Sequence, residues 1–199
     1  TPRADTETLV ETALRLSHNQ PTGTVLDLGT GSGAVLLAFL SERPGWTGTG
    51  IDVSKNALAV AIRNAAVCDL EARTRFTGKN WTNLPDASYD LVLSNPPYIA
   101  HDELAQLEPE VQMFEPQIAL DGGPDGLDAY RFLSQNLPRW MSDAGQFAFE
   151  IGYQQARPVT DLLAAQGYFA ELASAKDLAG RDRVVYGQMA TKPQDKTKI

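Results

Sequence analysis

Short, almost continuously apolar runs alternate with helix-length amphipathic segments along nearly the whole of this 199-residue chain. That alternation admits few folds. A strand buried on both faces reads as a continuous apolar run. Successive strands of this kind joined by helices lie parallel, through right-handed crossovers, with helices on both faces of the sheet. Thr24-Val25-Leu26-Asp27-Leu28 is the first run and ends directly in Gly29. A helix is expected before it over residues 6–17, capped by Asp5, with Leu9, Val10, Ala13, Leu14 and Leu16 on its apolar side. Helix is expected again over 33–41, until Pro44-Gly45 breaks it. Strand follows over 48–53, then helix from a Ser54 cap to about Val67, with Ala57, Leu58, Ala61 and Ile62 inward. A weaker strand over 73–77 precedes the run Tyr89-Asp90-Leu91-Val92-Leu93-Ser94. Helix over 127–141, strand over 145–151, helix over 154–165 and strands over 168–174 and 183–189 complete the pattern. No helix pattern separates the last two strands, so they are expected to form an antiparallel pair at one edge. The expected fold is α/β: a doubly wound, seven-stranded, mostly parallel sheet with an antiparallel edge hairpin. It takes up residues 1–190, and the polar, Lys-rich stretch 191–199 is expected to be a frayed tail.

Composition narrows the function. Hydrophobic residues make up 43% and charged residues 21%, ordinary values for one globular domain of this length. The formal net charge of −8 argues against broad nucleic-acid binding, which needs a basic face. No apolar stretch is long enough to cross a bilayer, and Thr1-Pro2-Arg3-Ala4-Asp5 carries no apolar leader segment, so neither a membrane nor secretion is expected. The single cysteine, Cys68, allows no internal disulfide and suits a reducing compartment; a cytoplasmic location is the expectation. With only His18 and His101 besides, no Cys/His metal site is expected, and neither histidine has a nucleophile elbow nearby.

The turn Gly29-Thr30-Gly31-Ser32-Gly33 lies between a strand and a helix. Alternate glycines let the backbone turn tightly and approach a ligand, and the following helix points its N–H groups into the same space. Asp52 closes the next strand, where a carboxylate can accept both hydroxyl protons of a ribose. Together these predict an adenosine-type cofactor. Gly29, Gly31 and Ala34 also fit a dinucleotide fingerprint, so the turn alone leaves NAD open. Asp27 tips the balance: an anion directly before the turn repels a pyrophosphate and suits the ammonium of a methionine-type cofactor.

Asn95-Pro96-Pro97-Tyr98 follows the fourth strand directly, which places it at the carboxyl edge beside the glycine turn. The prolines fix φ and remove two donors, leaving the Asn95 side-chain oxygen and the Pro96 carbonyl as acceptors. Two adjacent acceptors suit an –NH₂ group, and Tyr98 offers a flat wall. Holding both protons of an amide turns its delocalised lone pair toward an electrophilic methyl, a catalysis of positioning that needs no strong base. The long irregular stretch around this turn, residues 95–125, is itself expected to be functional.

These residues resemble the class I, Rossmann-like S-adenosylmethionine-dependent methyltransferases. More narrowly the chain is similar to the HemK/PrmC family, the peptide chain release factor glutamine methyltransferases, from Pro2 to about Gly187. The matching pieces include Pro2-Arg3-Ala4-Asp5-Thr6-Glu7, Asp27 to Gly33, Asp52, Ser94 to Tyr98, Phe114-Glu115-Pro116, Ala119-Leu120-Asp121-Gly122-Gly123, Asp125-Gly126-Leu127, Glu150-Ile151-Gly152 and Asp182-Arg183-Val184-Val185. The resemblance implies methyl transfer from S-adenosyl-L-methionine, leaving S-adenosyl-L-homocysteine, to the glutamine of the Gly-Gly-Gln loop of bacterial class I release factors. It implies that Gly29 to Gly33, with Asp27, wraps the methionine part and that Asp52 and Val53 serve the ribose side. Trp81 and Asn80 would meet the adenine, and Pro2, Arg3 and Thr6 would line the pocket. Asn95 through Tyr98 would hold the glutamine. Three departures stand out. Asn80 occupies a place where relatives often carry Asp, and Ala4 replaces a frequent proline. The resemblance also begins inside the Pro-Arg motif, so the family's helical, substrate-docking N-terminal domain is expected to be absent.

Other residues read more plainly. Glu150 and Arg183 are expected to pair structurally, and Phe114 and Glu115 to shape or pack the substrate loop. Trp46, Trp140, Phe147 and Phe149 are read as packing, Cys68 as a small buried hydrophobe and His101 as a solvated side chain with nothing to pair it. Alternative functions compatible with the motifs are a ribosomal-protein glutamine methyltransferase, a nucleic-acid N6-adenine methyltransferase and a non-catalytic Gly-Gly-Gln-binding module.

Overall fold

The computed structural model describes residues 4–104 and 120–190. The tail 191–199, the residues Pro2, Arg3, Phe114, Glu115, Pro116 and Ala119, and the side chains of Ala4 and Asp5 lie outside what is described. Helix α1 (Ala4–Leu16) begins one residue before Asp5, which therefore falls in its first turn and not at the cap. Strand β1 (Gly23–Leu28) leads to α2 (Ala34–Glu42), and β2 (Trp46–Asp52) leads to α3 (Lys55–Val67). Next come β3 (Thr74–Gly78), β4 (Tyr89–Ser94), a single helical turn α4 (His101–Leu104) and α5 (Asp128–Asn136). Strand β5 (Met141–Glu150), α6 (Ala156–Ala164), β6 (Phe169–Lys176) and β7 (Asp182–Met189) follow.

The seven strands form one sheet, mostly parallel with an antiparallel edge as expected, and their order is β3-β2-β1-β4-β5-β7-β6. β1 to β5 are parallel, and β7 runs antiparallel to both β5 and β6. Alternate residues of each strand face opposite layers. Val25, Leu91, Leu93, Ala148 and Val184 pack under α1 and α2, with Leu9, Leu36, Phe39 and Trp46. Leu26, Val92, Phe147, Phe149 and Val185 pack with Tyr130, Leu133, Val159 and Leu163 of α5 and α6. The large aromatics expected in the core, Trp46, Trp140, Phe147 and Phe149, are all buried.

Four further expectations need correction. The helix expected over 127–141 stops at Asn136, because Pro138 cannot donate to the helical ladder; Leu137–Arg139 is instead a 3₁₀ turn. β5 then starts at Met141, ahead of residue 145, and a bulge opposite Tyr89 and Leu91 absorbs the extra residues. Cys68 is exposed, not buried. It sits past the last turn of α3, where Asp69 adopts φ +56° and the Leu70 N–H returns to the Ala65 carbonyl at 2.8 Å. This closing turn folds Leu70, 3% exposed, into the apolar place that Cys68 would have taken. Ile62, expected inward, is 54% exposed, since Leu58, Ala61 and Ala65 already complete the buried stripe of α3.

Candidate active site

Register brings the candidate residues together. Leu28 of β1 lies opposite Ile51 of β2 on one side and Ser94 of β4 on the other. The residues that follow these three, Gly29, Asp52 and Asn95, therefore leave the same carboxyl edge side by side, with neighbouring strands about 4.8 Å apart. The Ser94 hydroxyl donates to the Leu28 carbonyl at 2.8 Å and ties the two strand ends together.

The glycine turn is held by β2. The N–H groups of Gly29 and Thr30 both donate to the Ile51 carbonyl, at 2.8 and 2.9 Å, and the Gly33 N–H closes onto the Thr30 carbonyl at 2.8 Å. Gly29, Gly31 and Gly33 have φ of +74°, +56° and +80°, a region that side chains rarely enter. A Cβ at Gly29 or Gly31 would meet nothing within 4 Å, so the space above the turn is open. At Gly33 a Cβ would lie 3.2 Å from that of Ala61, so this glycine also lets α3 pack close. Ser32 is exposed and Thr30 buried.

Asp52 locks the turn as well as bordering the crevice. Its Oδ2 accepts the Gly31 N–H and its Oδ1 the Ser54 N–H, each at 2.8 Å. Each oxygen keeps a lone pair for a further donor such as a ribose hydroxyl. Val53, beside it, is 54% exposed. Asp27 is 2% exposed, and its Oδ2 accepts the Thr30 hydroxyl at 2.6 Å. Burial pushes its carboxyl up to about 6; the Thr30 bond opposes the rise and the Asp52 charge adds to it. The edge thus offers two carboxylates, open space and a glycine turn, a donor set that fits a cationic, ribose-bearing methionine derivative.

The adenine-side candidates lie on the segment after β3. The Asn80 carboxamide oxygen is engaged locally, accepting the Thr82 N–H at 3.0 Å and capping the 3₁₀ turn Trp81–Asn83. Trp81 is half-buried, its ring 6.3 Å from that of Phe132 and tilted by 32°. Thr6 is half-buried in the first turn of α1.

Asn95, Pro97 and Tyr98 are half-buried and Pro96 is buried. Tyr98 packs against the cluster beneath α5 and α6, so its ring belongs in part to the core. Its carbonyl accepts the Gln155 side-chain N–H at 3.0 Å. Deeper, the Tyr130 hydroxyl donates to the Glu150 carbonyl at 2.7 Å, and burial, with Tyr98 and Glu150 nearby, holds this phenol well above its usual range. His101 is paired after all: its Nε2 lies 3.2 Å from Asp121 Oδ2. The isolated bridge between Ile99 and Asp121 folds the two segments together, a link between residues too far apart in sequence for any pattern to signal. Arg183 is engaged at 3.1 Å by Asp177, from the turn joining β6 to β7. Sequence reasoning missed Gln155 and Asp121 as parts of the site, although Asp121 and Gly152 lie in motifs it had singled out. Among the described residues no group of three His, Cys, Asp or Glu side chains could hold a metal ion, and no helix is long and apolar enough to cross a membrane.

A parallel sheet of this strand order with an antiparallel seventh strand, a glycine turn after β1 and an acid after β2 defines a class I methyltransferase fold. The chain belongs to the methyltransferase small domain family, whose pattern it matches over residues 5–114. It is 49% identical over 188 residues to a release factor glutamine methyltransferase of Caulobacter vibrioides, covering 94% of this chain and 65% of that protein. It is 48% identical over 182 residues to a release factor glutamine methyltransferase of Rhodospirillum rubrum, covering 92% of this chain and 55% of that protein. The chain thus spans between about half and two thirds of the length of these relatives. An RNA methyltransferase from Salinibacter ruber, solved with S-adenosyl-L-homocysteine, superposes with a TM-score of 0.60 at 16% identity, covering 100% of this chain and 99% of that one. That likeness is one of fold.

Proposed function

We propose that this chain binds S-adenosyl-L-methionine at the carboxyl edge of β1, β2 and β4. There it transfers the methyl group to the side-chain amide nitrogen of the glutamine in the Gly-Gly-Gln motif of bacterial class I release factors. The observation that carries the reading is the register that sets Gly29, Asp52 and Asn95 side by side. The names of the relatives support the substrate. Residues 1–190 are read as the catalytic domain, with 191–199 outside it, and a release factor substrate places the reaction in the cytoplasm.

The roles proposed for the residues are those the family resemblance gives them, and the shared carboxyl edge supports them. Gly29, Thr30, Gly31, Ser32 and Gly33 wrap the methionine portion, and the Asp27 carboxylate draws its ammonium. Asp52 accepts from the ribose, with Val53 beside it; Trp81 and Asn80 border the adenine, Thr6 lines the pocket from α1, and Arg3, which lies outside the described residues, is assigned to the same pocket by the family resemblance alone. The bound cofactor supplies a methyl group on a sulfonium sulfur. Asn95 Oδ1 and the Pro96 carbonyl accept hydrogen bonds from the two amide N–H groups of the glutamine, with Pro97 and Tyr98 fixing the backbone and one wall. In the step, the nitrogen lone pair forms the N–CH₃ bond, the C–S electron pair returns to sulfur and gives S-adenosyl-L-homocysteine, and the nitrogen then sheds one proton to water. Positioning and the two acceptors account for the catalysis.

The test is incubation with labelled S-adenosyl-L-methionine and, in parallel, a release factor, a ribosomal protein mixture and an oligonucleotide, with the label located by mass spectrometry. Label on the Gly-Gly-Gln glutamine supports the reading. Label only on a ribosomal protein or on adenine overturns the substrate, and cofactor binding without transfer to any of them overturns the activity.

A further inference from the structure

We propose that Gln155 is a positioning residue for methyl transfer, fixing the downstream end of the Asn95-Pro96-Pro97-Tyr98 turn; the inference rests on the function proposed above. A turn with two consecutive prolines has few donors of its own with which to fix itself. Its position is therefore set by what holds its ends. The upstream end is held by the Ser94 hydroxyl on the Leu28 carbonyl at 2.8 Å. The downstream end is held by Gln155, reaching from the N-cap position of α6.

The Gln155 carboxamide engages both of its N–H groups' worth of donation and its acceptor. Nε2 donates to the Tyr98 carbonyl at 3.0 Å and to the Gly126 carbonyl at 3.1 Å, and Oε1 accepts the Gly152 N–H at 3.0 Å. One side chain thus joins three segments: the candidate glutamine-binding turn, the Asp125-Gly126 loop and the end of β5. The surrounding glycines leave room for it. A Cβ on Gly126 would come within 2.7 Å of Nε2, and one on Gly152 within 3.0 Å of Oε1. A Cβ on Gly122 would lie 2.9 Å from Tyr98 Cα, so the second loop also closes directly on the turn. Only a carboxamide of this length both donates twice and accepts once here. Glutamate cannot donate, and a lysine or arginine cannot accept. Releasing the Tyr98 carbonyl lets Asn95 Oδ1 and the Pro96 carbonyl drift from the line of attack, which slows transfer with little effect on the glycine turn across the crevice.

Gln155→Glu keeps the size and the acceptor for Gly152 but removes both donations. Expected is a fall of about 10- to 100-fold in kcat/KM for a release factor, with the dissociation constant for S-adenosyl-L-methionine changed less than twofold. As pH falls the glutamate takes up a proton and can donate again, so its rate relative to the unaltered enzyme should climb. Amide exchange at Ile99 and Gly122, which bond to Leu120 and Ile99 carbonyls, should speed at least tenfold. Unaltered kcat/KM with unaltered exchange overturns the inference, and so does an equal loss of cofactor affinity. If the unaltered chain methylates no release factor, the functional reading fails, and amide exchange still decides whether Gln155 pins the turn. Gln155→Met, apolar and of similar length, serves the same comparison if the glutamate variant does not fold.

Discussion

Asp27 carries a measurable conflict between stability and binding. It lies in β1 between Leu26 and Leu28, both buried, and its carboxyl is raised from 3.8 to about 6, mainly by burial. In the unfolded chain the group loses its proton near pH 3.8; in the folded chain it keeps it until about pH 6. Between those values the folded state binds more protons, so stability falls as pH rises through this window and levels off above it. A rise from 3.8 to about 6 corresponds to about 3 kcal/mol of differential stability between the two protonation states. Asp27→Asn removes the titration and keeps an oxygen for the Thr30 hydroxyl. Urea unfolding of both proteins at pH 4 to 8 should therefore show the variant gaining about 3 kcal/mol relative to the unaltered chain across that range. Parallel stability curves would refute the argument, because they would mean that the buried carboxyl does not titrate abnormally.

The same substitution tests binding. A cation seated beside Asp27 favours its ionised form, so cofactor binding below about pH 6 should expel a proton, and affinity should weaken as pH drops through that value. Calorimetry in two buffers of different ionisation enthalpy detects the proton. The asparagine variant should bind more weakly at pH 8 and show no proton release.

Asn95→Ala should lower kcat by about 10²- to 10³-fold while S-adenosyl-L-methionine binding, read by calorimetry, stays unchanged. Gly31→Ala meets only the cost of a left-handed φ of +56°, about 1–2 kcal/mol by urea unfolding. Gly33→Ala should cost more than that, since its Cβ also crowds Ala61 at 3.2 Å and Leu37 at 3.3 Å. Tyr130→Phe leaves the buried Glu150 carbonyl without its 2.7 Å donor and should cost about 1–3 kcal/mol in unfolding free energy.

Much of this fold was legible because its signals are local and redundant. β4 spans Tyr89–Ser94, the same residues as its apolar run, and Ser54 caps α3 by accepting the Ala57 N–H at 3.2 Å. Errors fell where a non-local contact outweighed a local pattern. Ile62 looked inward by composition, but the closeness of α3 to Gly33 admits only Ala61 at the contact. Cys68 reads as a small buried hydrophobe, but the turn through Asp69 leaves it exposed and buries Leu70 instead.

The site shows the same division more sharply. Gly29, Asp52 and Asn95 could be read from sequence because each directly follows a strand, and parallel strands deliver their ends to one edge. What holds those residues in place could not. Gln155 lies 57 residues beyond Tyr98, on a separate helix, and a glutamine before a helix carries no signature. Its importance arises only when β5 and α6 pack against the loop. The division has a physical cause. Groups that touch a ligand must sit where strands end, a position set by hydrophobic periodicity. Groups that hold them need only reach a carbonyl, and almost any part of the chain that folds nearby can supply one. The proline-rich turn makes that support necessary: by giving up its own donors to present carbonyls, it depends on donors brought from Ser94 and Gln155.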